Sequence, residues 1–217
     1  GYFALVESGK EEPMTTHSDH YSTNFAYGRA AYSKGAVFLE QLSYIIGKDA
    51  FEKGMKRYFD EWKFKHPNPT NFKRIMEKES GIELDWYQQY FVNSTRTIDY
   101  GVKSVEDRGE RTYVTLERVG KMPMPQDVLV TYTDGEQELF YIPLQIMRGV
   151  KENDTDYSRT VLQDWPWVFP TYLMVVPRNI DDIESIEIDP SQRMADIERE
   201  NNNYPGMQNT RFSSETE

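Results

Sequence analysis

The stretch FAYGRAAYSKGAVFLEQL, residues 25 to 42, carries two phenols, Tyr27 and Tyr32, five positions apart and ahead of Ser33-Lys34-Gly35. A phenol has an ordinary pKa of about 10, so at neutral pH it keeps its proton and can donate a hydrogen bond. The other chemical groups are sparse. His17 and His20 stand as H-x-x-H around Asp19, and His66 lies alone in a Pro-rich loop. The pair could be two-thirds of a metal site, but no third ligand is apparent and no helical period brings both rings to one face. The competing reading has them bonding nearby backbone. His17-Ser18-Asp19 cannot act as a triad, because adjacent residues project in different directions. NDTDYSR, residues 153–159, alternates acids like a calcium loop yet lacks the Gly and the terminal Glu such a loop requires, so it reads as an acidic turn. Asn93-Ser94-Thr95 and Asn153-Asp154-Thr155 match the glycosylation acceptor pattern, which chance supplies often. There is no H-E-x-x-H, no P-loop and no nucleotide-binding glycine fingerprint. No catalytic set in the chain is complete.

The elements that must position these groups change period midway. In the first half apolar residues recur at helical spacing. Ala36, Phe38, Leu39, Leu42, Ile45 and Ile46 follow Lys34-Gly35, and Gly47 stands where a helix ends. Asp49 is read as the cap of a second helix with Phe51, Met55, Tyr58, Phe59 and Trp62 on one face. Thr70 is expected to open a third, ending at Ser80-Gly81, and Asp85 with Gln88 a short fourth from Trp86 to Phe91. In the second half TYVTLERV (112–119), DVLVTY (127–132), QELFYIPLQI (137–146), RTVLQ, YLMVV and IESIEI read as strands, with Thr133-Asp134-Gly135-Glu136 as a hairpin turn. Their spacing predicts a β-sandwich. The expected fold class is therefore α+β in two domains, residues 1–97 helical and 98–195 all-β, followed by a polar tail, 196–217, expected to be extended.

The totals exclude several function classes. With 217 residues, 38% hydrophobic, the chain can bury a sizeable core. It has no Cys, which removes disulfides, thiolate metal sites and cysteine nucleophiles. The net charge of −11 falls entirely on the second half, where residues 98–217 hold 23 acidic and 12 basic side chains. An acidic chain without a basic stripe does not suit phosphate backbones, so no nucleic-acid partner is expected. No stretch approaches the roughly 20 apolar residues of a membrane span. The first residue is Gly rather than Met, and the chain reads as an excised piece of a longer protein.

The segment AYGRAAYSKGAVFLEQLSYIIG resembles the part of the aminopeptidase N family of zinc metallopeptidases that follows their zinc-binding helices. Members carry Tyr-x-Lys-Gly there, at the start of a helix, and Tyr32-Ser33-Lys34-Gly35 matches it; a second tyrosine five residues earlier, as in some members, is Tyr27. GKDAFEKGMKRYFDEWKFKHPNPTNFKRIMEKESGIELDWYQQYF is similar to the helices that close the family's thermolysin-like catalytic domain. The strand-rich half resembles the immunoglobulin/fibronectin-like β-sandwich after it, and PSQRMADIERENNNYP the end of bacterial members.

The resemblance implies a zinc-dependent aminopeptidase that removes N-terminal residues from peptides, with this chain its C-terminal part. Tyr32 would be catalytic, donating a hydrogen bond to the oxyanion that forms when a zinc-bound water attacks the scissile carbonyl. Tyr27 would line the substrate pocket. Gly35 is read as permitting close helix approach, and Lys34 as solvated. The family's zinc histidines, zinc glutamate, general-base glutamate and Gly-x-Met-x-Asn motif lie upstream. Zinc is accordingly expected in the intact parent and not in this chain, which should be inactive alone, with the N-terminal catalytic portion packing on the helical lobe. Similar bacterial proteins suggest an extracytoplasmic compartment. A rival reading from another class is a non-catalytic β-sandwich binding module, with QDWPWVFPTY (163–172) as an aromatic platform and the helices as scaffold.

Overall fold

Thr23 opens a helical run that continues unbroken to Ile46. Its extended backbone and its side-chain oxygen, which accepts from the Ala26 amide at 3.1 Å, form a standard N-cap. The computed structural model describes residues 1–206 and 211–212. They divide into two units, Gly1–Arg96 with Ile146–Thr155, and Thr97–Gln145 with the described residues from 156 onward. Helix dominates the first and sheet the second, an α+β arrangement.

In the helical unit α1 (Tyr2–Glu7) precedes the long run, which comprises α2 (Asn24–Gly28), a π-helical turn (Arg29–Lys34) and α3 (Gly35–Ile46). Gly47 stops it at φ 84°, a conformation that costs a residue without Cβ little. α4 (Lys48–Trp62) follows directly with Gly47 as its N-cap, so Asp49 lies in the first turn rather than at the cap. α5 (Pro69–Ser80) is opened not by Thr70 but by Asn68, whose side chain and that of Asn71 bond each other's backbone amides reciprocally. Pro69 takes the first helical position, where its missing N–H costs nothing. α6 (Asp85–Tyr87) has no side-chain cap and runs on as a second π-helical turn, Gln88–Val92. The core is aromatic: Phe38, Tyr87 and Phe91 stack with ring centroids 5.1 and 5.6 Å apart along the series. Leu5, Leu42, Ile45 and Met76 are buried in the same unit.

The second unit holds two sheets. One has the order β6-β2-β1-β9, with β1 Tyr100–Asp107, β2 Thr112–Arg118, β6 Thr171–Val176 and β9 Arg211–Phe212. The other runs β5-β4-β3-β7-β8, with β3 Gln126–Tyr132, β4 Gln137–Ile142, β5 Arg159–Val161, β7 Ile183–Ile188 and β8 Asn203–Tyr204. The turn at 133–136 joins β3 to β4, with Gly135 at φ 87°. β1 is a strand that the sequence hid. Lys103, Ser104, Glu106 and Asp107 make it look polar, and a bulge between Val102 and Ser104 breaks the alternation that would have revealed it.

Two expectations need correction. Residues 146–155, read as the end of a strand and an acidic turn, cluster with the helices: Met147 O accepts from the Glu83 amide at 2.9 Å, and Lys151 lies 4.3 Å from the Tyr44 ring. The polar stretch from Arg193 does not trail away, at least as far as residue 206. Met194, Asp196, Asn202 and Tyr204 are buried, and the rest of the expected tail, apart from the β9 pair, lies outside the described residues. Polar sequence concealed this because its polar groups are consumed internally. Asp196 accepts from the amides of Tyr100 and Glu198, each at 2.9 Å, and Asn201 donates to Asp99 at 2.8 Å.

Asp196 gives a prediction. Burial pushes its carboxyl up from 3.8 to about 6, against the lowering effect of its backbone hydrogen bonds. Between those values the folded chain binds more protons than the unfolded one, so this group's contribution to stability declines as pH rises through the window. Unfolding in urea at pH 4.5 and pH 7 should show a slope from this site of at most about 3 kcal/mol. Asp196→Asn should remove it; an unchanged slope in that variant would assign the pH dependence elsewhere.

Candidate active-site helix

Tyr32 does not stand at a helix start. It lies inside the π-helical turn of a helix that begins at residue 24. π turns are rare, and they recur at functional sites because one extra residue per turn re-aims the side chains around it. Here the consequence is clear. Tyr32 is 81% exposed, and among the described residues its hydroxyl has no hydrogen-bond partner. Phe25 and Leu39, seven residues to either side, are exposed as well, so the helix carries an apolar stripe on its outer face. Tyr27 is 44% exposed and rests its ring against Tyr21, centroids 5.5 Å apart. Tyr21 is itself fixed by a bond from its hydroxyl to Pro13 O at 3.1 Å.

Lys34 is the residue the sequence misplaced. Far from being solvated, it is fully buried: its ammonium is 2.7 Å from Glu11 Oε1, donates to Ser94 O at 3.0 Å and sits 5.1 Å from the Phe91 ring centroid. Burial pushes its pKa below the ordinary 10.5, opposed by the bond to Glu11 and that residue's charge. Glu11, with 6% of its side chain exposed, was not singled out from the sequence at all. It stands in a loop whose Glu-Glu-Pro composition reads as surface, and only the fold brings it to a lysine 23 positions away. Gly35 also departs from its reading, since a Cβ there would meet only Ala30 O, at 4.0 Å, and no neighbouring helix.

His17 and His20 come together without a third ligand among the described residues. His17 Nδ1 accepts from the Asp19 amide at 3.3 Å, and the His17 and His20 rings lie 5.4 Å apart on a short exposed turn. Among the described residues no three His, Cys, Asp or Glu side chains are placed to hold a cation. In the aromatic loop 163–172 the residues divide, with Val168 and Phe169 exposed and one indole in the core. Trp165 is 1% exposed, its ring edge-on to Tyr100 and its Nε1 donating to Phe169 O at 3.0 Å. No helix among the described residues is long and apolar enough to cross a membrane.

Residues 5–91, the span that carries this helix, match the peptidase family M1 domain. Aminopeptidase N of Escherichia coli (strain K12) is 25% identical over 151 residues, 66% of this chain and 17% of its own length. Aminopeptidase N of Haemophilus influenzae is 24% identical over 144 residues, 66% of this chain and 16% of its own length. The crystal structure of Legionella pneumophila aminopeptidase A in complex with aspartic acid shares the fold, with a TM-score of 0.50 and 14% identity over 82% of this chain and 18% of that one. The family M1 match covers the helical unit, and the aminopeptidase N relatives are similar to this chain at about a quarter identity. It spans less than a fifth of the length of these relatives.

Proposed function

We propose that this chain is the C-terminal part of a zinc-dependent aminopeptidase. In this reading the helices of residues 1–97 complete a thermolysin-like catalytic domain, and the two sheets form the β-sandwich that follows it. Tyr32 donates a hydrogen bond to the oxyanion of the tetrahedral intermediate, and Tyr27 forms part of the pocket wall. The observation that carries the reading is the placement of Tyr32 within the Tyr-x-Lys-Gly motif: outward on a helical turn, with its hydroxyl unengaged. A donor already aimed, and not engaged by another protein group, needs little reorganisation when charge develops on the substrate oxygen. The outer stripe of Phe25, Tyr32 and Leu39 supports the expectation that a catalytic portion packs on this lobe. In this reading the metal's ligands belong to that portion.

The longer protein should release the N-terminal residue from an aminoacyl p-nitroanilide, lose that activity on dialysis against a chelator and regain it with stoichiometric zinc. Its sequence before Gly1 should carry H-E-x-x-H and a more distal Glu. Activity indifferent to chelation, or none on any N-terminal residue, would overturn the reading.

A further inference from the structure

Among the described residues the Tyr32 hydroxyl has no hydrogen-bond partner, so no such bond fixes the direction of the phenol. The turn that carries it is π-helical, Arg29–Lys34, a geometry that rarely persists without outside support. Support comes from two residues further on. Lys34 closes the turn and points inward, held by Glu11 at 2.7 Å and Ser94 O at 3.0 Å, with Phe91 beneath its ammonium. Residues two apart on an α-helix differ by roughly 200° about its axis, and somewhat less on a π turn, so a side chain pinned inward at 34 obliges 32 to face out. We propose that Lys34, latched by Glu11, is a positioning residue that sets the orientation of the Tyr32 phenol. The proposal rests on the reading of Tyr32 as the oxyanion donor.

The energetics agree with a geometric role. A buried ion pair contributes little to stability beyond what apolar residues of the same volume would give, because desolvation offsets the attraction. The downward shift of the Lys34 pKa has the same sign, since burial outweighs the carboxylate. What the pair does supply is direction, because an ammonium held between a carboxylate, a carbonyl acceptor and a ring face tolerates few orientations. The latch also ties the turn to the loop after α1 and to the chain just past the second π-helical turn, both distant in sequence.

The test is a double-mutant cycle in the longer enzyme. Glu11→Ala should lower kcat about 10–100-fold, as small misplacements of an aligned group do, with KM within twofold. In a Tyr32→Phe background the same change should cost nothing further, because the latch acts only through the phenol. Glu11→Gln, which keeps the acceptor, should recover most of the rate. Equal losses in both backgrounds, or full kcat in Glu11→Ala, would overturn the proposal. If Tyr32→Phe itself retains full rate, it is the donor role that fails, a separate result. Hydrogen exchange on the 217-residue chain keeps the test open should Glu11→Ala fold poorly. Amides 29–34 should speed up more than those of α4 and α5, and a uniform increase would assign Glu11 to the fold rather than to the turn.

Discussion

Tyr32→Phe in the longer enzyme is expected to lower kcat by about 10²–10³-fold while leaving KM nearly unchanged. The hydrogen bond from the phenol is strongest when the carbonyl oxygen has become an oxyanion, so its loss raises the transition state and scarcely touches the ground-state complex. Stability is not at issue. Tyr32 is 81% exposed and among the described residues its hydroxyl has no hydrogen-bond partner, so the Phe variant leaves none of their buried acceptors unpaired. Its unfolding free energy should stay within about 0.5 kcal/mol of wild type. Tyr27→Phe supplies the control: that residue is half-exposed against Tyr21 and is assigned only a wall, so its kcat should change much less. Steady-state kinetics of the two variants on one substrate decides the matter. A Tyr32→Phe enzyme with undiminished kcat would return the residue to an exposed surface aromatic.

What was legible in the sequence was what repeats locally. The 3.6-residue period gave the helices α3 to α5, and Thr133 to Glu136 gave a hairpin turn, because each signal is confined to a few neighbouring residues. Helix starts were less legible. Asn68 competes with Thr70 for the same cap, and in the stretch from Asn24 to Lys34 Gly28 interrupts the helical signal. The π turn has no sequence signature, so Tyr32 was placed at a helix start. Lys34 and Glu11 were illegible for a different reason. A lysine's burial depends on a partner brought in by tertiary structure, and composition carries no record of that partner. Asp196 repeats the lesson in the second unit, where a polar stretch is buried because Tyr100 and Glu198 supply its donors.

The aromatic loop is where a functional and a structural reading of the same residues can be separated by one substitution. Trp165→Ala should cost the sheet unit about 3–5 kcal/mol, the usual loss for truncating a buried indole. Three interactions go at once: the edge-on contact with Tyr100, centroids 5.5 Å apart, the tilted contact with Tyr172 at 5.3 Å, and the bond from Nε1 to Phe169 O. The damage should spread, because Tyr100 is itself tied in: its hydroxyl accepts from the Met124 amide at 2.8 Å. Trp165→Phe keeps a ring in the cavity but leaves the Phe169 carbonyl without its donor, so a smaller loss of about 1–3 kcal/mol is expected. Urea unfolding followed by near-ultraviolet circular dichroism measures both. A ligand-binding platform behaves in the opposite way, since its aromatics are exposed and their truncation weakens binding with little change in folding. A Trp165→Ala chain as stable as wild type would therefore reopen the binding-module reading, whereas the expected loss places the indole in the core that holds Tyr100 and β1 against the rest of the unit.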